Sequence, residues 1–407
     1  MIGRVPLRQR AAAVSAFFAT LTNSATAAVM LGLLGFSSFF QTLIGAANLA
    51  ALQALLGIGY NTKELLSNPD WLIDQINEGA AYTVNGASVQ AMDAWSGLAT
   101  GAGVFTMQQV ADPDYPNQKA LKIVVTTADN SIAAGDRYVV NTAIDGQDAA
   151  ELALGTVNAS SFTVQFDAKF PVAGTYGISF RNSANNRNYV GTFTQNVANA
   201  RESKTVTVSG DTTGTWLYSL NSIGLRMDIC LAAGSTYQTS AGVWANTPGM
   251  LTTSAQANFM ATLSNTGYIG RISLKKGSVV QAFGMMDRDR DLAKCQKKYW
   301  KSFPQGVAVA TNAGRAGEIA LNVRTAGAVV SDNTLYFPKM DGVPTMTFYN
   351  PSAANNFARN QTAGTDATTT AAVNPGDNQS HYSFTGLAGW AANDVISVHA
   401  TANCRLL

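Results

Sequence analysis

The sequence predicts a mainly β protein with a short-helix N-terminal region, an antiparallel sandwich, a connecting helix and a C-terminal β domain. Three observations carry that expectation. From about residue 81, short runs rich in Val, Ile, Thr, Tyr and Phe recur, many alternating in polarity and separated by Gly, Asn, Asp and Ser. Charged residues make up 13% of the chain, where about 25% is usual, and small or hydroxyl-bearing residues fill the gap. The N-terminal stretch differs in kind: after Arg4, Arg8 and Arg10, no charge occurs until Lys63.

At 407 residues the chain can hold two or three domains with their own cores. Boundaries are expected to give regions 1–80, 81–285 and 286–407. A net charge of +2 argues against nucleic acid as a partner, because phosphate binding needs clustered Lys and Arg. Cys230, Cys295 and Cys404 are odd in number and far apart, with no metal-type spacing, so neither a disulfide framework nor a metal site is expected. No cofactor is expected.

The first element is a tandem repeat. "SAFFATLTNSATAAVMLGLLGF" (Ser15–Phe36) and "SSFFQTLIGAANLAALQALLGI" (Ser37–Ile58) match 22 positions apart at Phe17/Phe39, Phe18/Phe40, Leu33/Leu55 and Leu34/Leu56, among others. Each block reads as two short helices, the first capped by Ser15 or Ser37 and the second by Thr26 or Asn48. Arginines ahead of an apolar run, with "NSATAA" behind, imitate a secretory signal, but the segment is expected to stay on the protein. Stable membrane insertion is not expected either. A helix of about eight residues spans ~12 Å, under half of a bilayer's ~30 Å core, and polar Thr22, Asn23 and Ser24 would sit midway. Leu49, Leu52 and Leu56 form one narrow apolar stripe that a short helix cannot bury alone. Phe17, Phe18, Leu33, Leu34, Phe39, Phe40, Leu49, Leu52, Leu55 and Leu56 are therefore expected to be assembly surface.

"NTKELLSNPDWLIDQINEGA" (Asn61–Ala80) follows. Asn68 before Pro69 and Asp70 predicts a helix start, Trp71, Ile73 and Ile76 supply apolar contacts, and Gly79 closes the segment. Strands are then expected at "ALKIVVTT", "DRYVVNTAI", "SFTVQFDAKF", "GTYGISFR", "YVGTFTQNV", "SKTVTVSG", "WLYSLNSIGLRMDICLA" and "TGYIGRISL". Strands at this spacing mean an antiparallel sandwich rather than a βαβ protein. "DRDRDLAKCQKKYWKSF" (Asp287–Phe303) places Leu292, Cys295 and Tyr299 at helical spacing and predicts the connecting helix. Asp287, Asp289 and Asp291 read as acids opening that helix; the intervening arginines and missing Gly argue against a calcium loop. A second β segment runs from about Gly306 to the end, through "TLYFPKMDGVPTMTFYNP", "HYSFTGLAGW" and "DVISVHATANCRLL".

Catalytic chemistry is not expected. Only His381 and His399 are present, and Ser380 and Asp377 near His381 have no nucleophile-elbow pattern behind them.

The stretch "GYIGRISLKKGSVVQAFGMMDRDRDLAKCQKKYWKSF" (Gly267–Phe303) resembles a pattern of tailed-bacteriophage fibre and spike proteins: a terminal sandwich strand, a "GS" turn, an apolar-aromatic step and a short helix with a "KSF" tail. The matching residues are Ile269, Leu274, Gly277, Ser278, Phe283, Leu292, Cys295, Gln296, Tyr299, Lys301, Ser302 and Phe303. Lys275–Lys276 and Lys297–Lys298 depart from that pattern and make the region basic, a set completed by Lys294 and Lys301 that could meet an acidic polysaccharide or a partner subunit. "GTWLYSL" and "SFTVQFDAKFP" look like two of the family's sandwich strands, "PTMTFYNP" and "AANDVISVHATANC" like its C-terminal β segment, and "AALQALLGI" like pieces of fibre N-termini.

The resemblance implies a jelly roll similar to carbohydrate-binding modules, within a homotrimer on a virion. Residues 1–80 would dock to tail, collar or head proteins, and the β domains would contact host-surface polysaccharide. "RNSANNRNY" carries sugar-binding chemistry in one loop, so Arg181, Asn182, Asn185, Asn186, Arg187 and Tyr189 are the expected glycan residues. A purely structural head or collar fibre, and a membrane-anchored bacterial adhesin, are the alternatives.

Overall fold

The computed structural model describes residues 63–284, 287–323, 326, 329–367, 369–385 and 390–405. The expected assembly residues between Phe17 and Leu56 lie outside the described residues. One compact unit runs from Lys63 to Leu407.

Its larger part is a two-sheet sandwich. One sheet holds β1 (Tyr82–Val84), β4 (Val104–Ala111), β5 (Lys119–Thr127), β7 (Phe162–Lys169), β10 (Glu202–Val208) and β13 (Thr266–Lys276), ordered β1-β4-β5-β13-β7-β10. The other holds β2 (Gly86–Met92), β3 (Trp95–Thr100), β6 (Arg137–Asp145), β8 (Gly174–Arg181), β9 (Asn188–Gln195), β11 (Ile223–Ala233) and β12 (Trp244–Ala245), ordered β12-β9-β8-β11-β6-β3-β2. All strand pairs in both sheets are antiparallel. Period-two alternation sets which face is buried. Leu225, Met227, Ile229 and Leu231 of β11 point inward, as do Tyr176, Ile178 and Phe180 of β8 and Phe162, Val164 and Phe166 of β7. Edge-to-face rings lock the layers, with Phe162 on Phe180 at 5.1 Å and Phe166 on Phe193 at 5.0 Å.

Strands β2 and β3 carry weaker signals in the sequence, being rich in Ala, Gly and Ser. Gly97 shows why: a Cβ there would meet Val84 Cγ2 at 2.5 Å and Met107 Sδ at 2.8 Å, so tight sheet packing excludes a better strand former.

The helix expected over residues 68–79 does not form. The chain there makes turns and bends, Leu65, Leu66 and Trp71 enter the sandwich core, and Ile73 is buried. Asn68 and Trp71 adopt left-handed backbone angles, φ 53° and 58°. Instead of capping a helix, Asn68 donates to Ile73 O and Asp93 O and accepts from Ile73 N. Trp71 packs against Trp95 with ring centroids 4.5 Å apart and donates to Gly270 O at 2.6 Å. This strap lies along β13 where that strand's register with β7 shifts between Ile269 and Ile272, and Ile272 N bonds Pro69 O. Filling that gap outweighs local helix preference.

"GTWLYSL" is likewise a loop and not a strand. Trp216 stands edge-on to Trp244, and the Tyr218 hydroxyl donates to Leu154 O, so the aromatic side chains anchor the segment without sheet bonds.

A short helix α1 (Gly146–Ala149) follows β6, and the connecting helix α2 spans Arg288–Gln296. Asp287 caps α2 by accepting from Arg290 N at 3.0 Å, and Asp289 and Asp291 occupy its first turn. The helix is shorter than the expected 287–303 stretch, because Tyr299–Lys301 leaves it to become strand β14 on the C-terminal sheet.

That sheet is built around β22 (Val395–Asn403), which pairs with β14, β15 (Ile319–Asn322), β17 (Thr345–Tyr349) and β18 (Arg359–Asn360), with β19 (Thr365–Asp366) beyond β18. A separate three-stranded sheet pairs β21 (Gln379–Thr385) with β16 (Val329–Tyr336) and β20 (Thr369–Pro375). Phe348, Tyr382, Phe384, Trp390, Ile396 and Val398 form the second core. Among the described residues, no helix is long and apolar enough to cross a membrane.

Candidate functional site

The expected glycan loop connects β8 and β9, and its polar groups are largely spent on the loop itself. Asn182 is buried; its carbonyl oxygen accepts from Asn186 N and Arg187 N, and its amide donates to Asn186 Oδ1 and Thr215 O. Asn185 takes a left-handed turn angle and accepts from Gly249 N. Arg187 grips Asp211 through two bonds of 2.7 and 2.6 Å and reaches Asn246 with its third nitrogen. Tyr189 is buried between Phe180 and Trp244. Of the six, Arg181 alone reaches the outer face of the seven-stranded sheet.

That face carries a polar row the sequence reading did not single out. Because Leu225, Met227 and Ile229 point into the core, Arg226 and Asp228 point out. The register across neighbouring strands sets Ser179, Asp228, Asn141, Ser96 and Gln90 side by side over β8, β11, β6, β3 and β2. The adjacent row sets Asn188, Arg181, Arg226 and Ala143 together. The signal was in the sequence: "LRMDIC" alternates apolar and polar residues, which puts Arg226 and Asp228 on one face with Cys230.

Much of the two rows is buried yet incompletely bonded. Ser179, Asn188, Asp228, Asn141 and Ser96 are all buried, while Ser179 Oγ, Asn188 Oδ1 and Gln90 Oε1 have no hydrogen-bond partner among the described residues. Arg181 bonds Asp228 at 3.0 Å. Arg226 lies directly opposite Arg181, and no hydrogen bond or ion pair engages its guanidinium among the described residues. Burial first, and then the Arg181 charge, push the Arg226 pKa down.

Both ends of the face are walled. On one side Leu251 packs on Val139 and Cys230, with Tyr237 and Leu98 beside them. On the other, a cavity opens over Gln90, Ser96, Asn141, Ala143 and Asp145 and is roofed by Lys294, Cys295, Lys298, Tyr299 and Arg405. Asp93, also on this wall, accepts from Gln75 N at 2.6 Å and Gln75 Nε2 at 2.8 Å, and burial pushes its carboxyl up to about 6. Arg405 spreads over the Tyr299 ring at 4.4 Å and leaves Nη1 without a partner among the described residues. Three of the basic residues expected at the surface act as clamps: Lys294 holds Asp148, Lys298 holds Asp145 and Asp341, and Lys301 holds Glu78.

Ser380 directs its hydroxyl to the backbone oxygen of His381 and not to the ring, whose Nδ1 meets Thr334 Oγ1 instead, and Asp377 lies 3.5 Å from Lys339. His399 bonds Ser302 Oγ and Gly314 O and stacks on Phe303. Among the described residues no group of three His, Cys, Asp or Glu gathers to hold a metal. The three thiols are free, two of them buried.

No family model and no curated protein matches the chain. Solved structures similar to it include the enzymatically active domain of tailspike protein 4 of bacteriophage CBA120, at 9% identity and a TM-score of 0.27, covering 52% of this chain and 21% of that one. The N-terminal xylanase 10B modules of Clostridium thermocellum complexed with xylohexaose match at 10% identity and a TM-score of 0.28, covering 55% and 30%. The family 11 carbohydrate-binding module of the same organism, in complex with a mixed-linked tetrasaccharide, matches at 10% and 0.26, covering 48% and 97%. The chain thus spans about a fifth of the tailspike domain, under a third of the xylanase modules and nearly all of the binding module.

Proposed function

We propose that this chain is a structural virion appendage protein, of the fibre or spike kind, whose large sandwich binds polysaccharide across the outer face of its seven-stranded sheet. The observation that carries the binding role is the row of buried polar side chains whose bonds are incomplete. Native proteins leave few buried polar atoms unpaired, since each costs roughly 1–3 kcal/mol. Ser179 Oγ, Asn188 Oδ1 and Gln90 Oε1 break that rule on one face, and Gln90, with its row neighbours Ser96 and Asn141, lines the cavity. A chain of hydroxyl-bearing sugars laid across the strands can both donate and accept, and would complete them.

The appendage role is supported by the sequence resemblance over Gly267–Phe303. In this proposal the apolar repeats between Ser15 and Ile58 dock the protein to its particle, and three copies assemble. Light scattering on the purified chain tests the trimer: a mass near three times 42.8 kDa is expected, and a monomer overturns it.

Binding is tested on a broad panel of neutral and acidic bacterial glycans. Saturable binding is expected, weakened about tenfold when Ser179→Ala and Asn141→Ala are combined, as loss of one to two hydrogen bonds implies. A folded protein that binds nothing on the panel sinks the binding role and leaves a purely structural fibre.

A further inference from the structure

The charge on the outer face of the seven-stranded sheet points to a narrower class of ligand. Arg181 and Arg226 face each other in register on β8 and β11, on the same side of the sheet. Like charges directly opposite across a strand pair are destabilising. Asp228, one step along, is bonded to Arg181 through Nε and Nη2, so its charge is already committed. Arg226 is left as a half-buried cation with neither hydrogen bond nor ion pair among the described residues. Burial and the Arg181 charge push its pKa down, and the nearby Asp228 carboxylate, already bonded to Arg181, only partly offsets them.

A fold that needed only a packed face at this position would carry an aliphatic or neutral polar side chain. In these two rows, two guanidiniums and one carboxylate leave a net charge of +1, the Asp145 carboxylate at the end of β6 being held by Lys298. A single carboxylate neutralises that, and its two oxygens match the planar guanidinium fork. Resting on the polysaccharide-binding reading above, we infer that the ligand is an acidic polysaccharide, and that Arg226 receives the carboxylate of a uronic acid residue. Ser179 and Asn141 would then meet neutral hydroxyls of the flanking sugars.

The test uses the full chain and three defined polymers: polygalacturonate, alginate and hyaluronate, each paired with its carboxyl-reduced form. At least one uronate polymer is expected to bind at least tenfold tighter than its reduced partner, with affinity falling as salt rises. Arg226→Gln should abolish that preference without lowering thermal stability, because it also removes the repulsion with Arg181. The wild-type comparison of each polymer with its reduced form stands by itself should the variant not fold. Equal binding of acid and reduced forms, or a preference that survives Arg226→Gln, overturns the inference and leaves the polysaccharide-binding reading intact. So does binding confined to neutral glycans. Silence toward acidic and neutral polymers alike overturns both.

Discussion

Arg187 and Asp211 form a two-point ion pair that is almost wholly out of solvent, with side-chain exposures of 12% and 3%. Removing one partner of such a pair strands the other charge, at a cost of about 3 kcal/mol. Asp211→Asn should therefore lower the unfolding free energy by that amount in a denaturant titration and loosen the 182–187 loop, and an unchanged midpoint would show that water reaches Arg187. Gly177 makes a different point. A Cβ there would stand 2.4 Å from Leu251 O and 2.6 Å from Thr252 Cβ, so the loop that walls the outer face is seated directly on a missing side chain. Gly177→Ala is expected to cost about 1–3 kcal/mol by overpacking and to expose residues 235–256 to limited proteolysis. Cleavage no faster than in the wild type would show that the loop is held by its other contacts.

The strap from Glu64 to Gly79 has no strand or helix, yet it holds the sandwich shut. Trp71→Ala should destabilise the protein by about 3–5 kcal/mol, as for other buried aromatic deletions; a loss under 1 kcal/mol in a melting experiment would show that the core can form without the strap. Its conformation was hidden in the sequence because Asn68-Pro69-Asp70 is a sound helix start by local chemistry, and residues distant in sequence, among them Asp93, Gly270, Arg271 and Ile272, redirect it. The strands from β5 to β10 and β13 were legible, because alternation survives wherever one face is buried and the other wet. The candidate site was half legible. Arg181 and its loop drew notice by composition, whereas Arg226, Asp228 and Asn141 come from three separate strands and meet only once register is known. Cross-strand rows leave no mark in a linear sequence.

For the molecule as a whole, acid groups set an unusual pH response. Burial pushes the Asp93 and Asp291 carboxyls up to about 6, above their ordinary value of 3.8. Such groups bind protons more tightly when folded, so the stability they contribute is present at low pH and is lost as pH rises through about 6. Glu202 opposes them. Its slight burial works against the shift, but Lys204 and the Asn196 and Val197 amides hold it down to about 2, and that contribution disappears on acidification below the ordinary value of 4.5. Stability should fall between pH 4 and pH 6 and level off above, with a second loss at strongly acid pH; melting curves across that range check it. The Asp93→Asn/Asp291→Asn double variant should flatten the upper arm, and a wild-type melting point that climbs from pH 4.5 to 6.5 contradicts the assignment. The arrangement around β22 bears on biogenesis. All four of its neighbours, β14, β15, β17 and β18, are synthesised before it, and Tyr299 waits for Asn403. The large sandwich, closed by Thr266–Lys276, can fold while translation continues, but the second cannot close until residues 395–403 leave the ribosome. Until then its strands have open edges beside identical nascent chains on the same messenger, which makes exchange of β22 between copies the natural hazard of its synthesis.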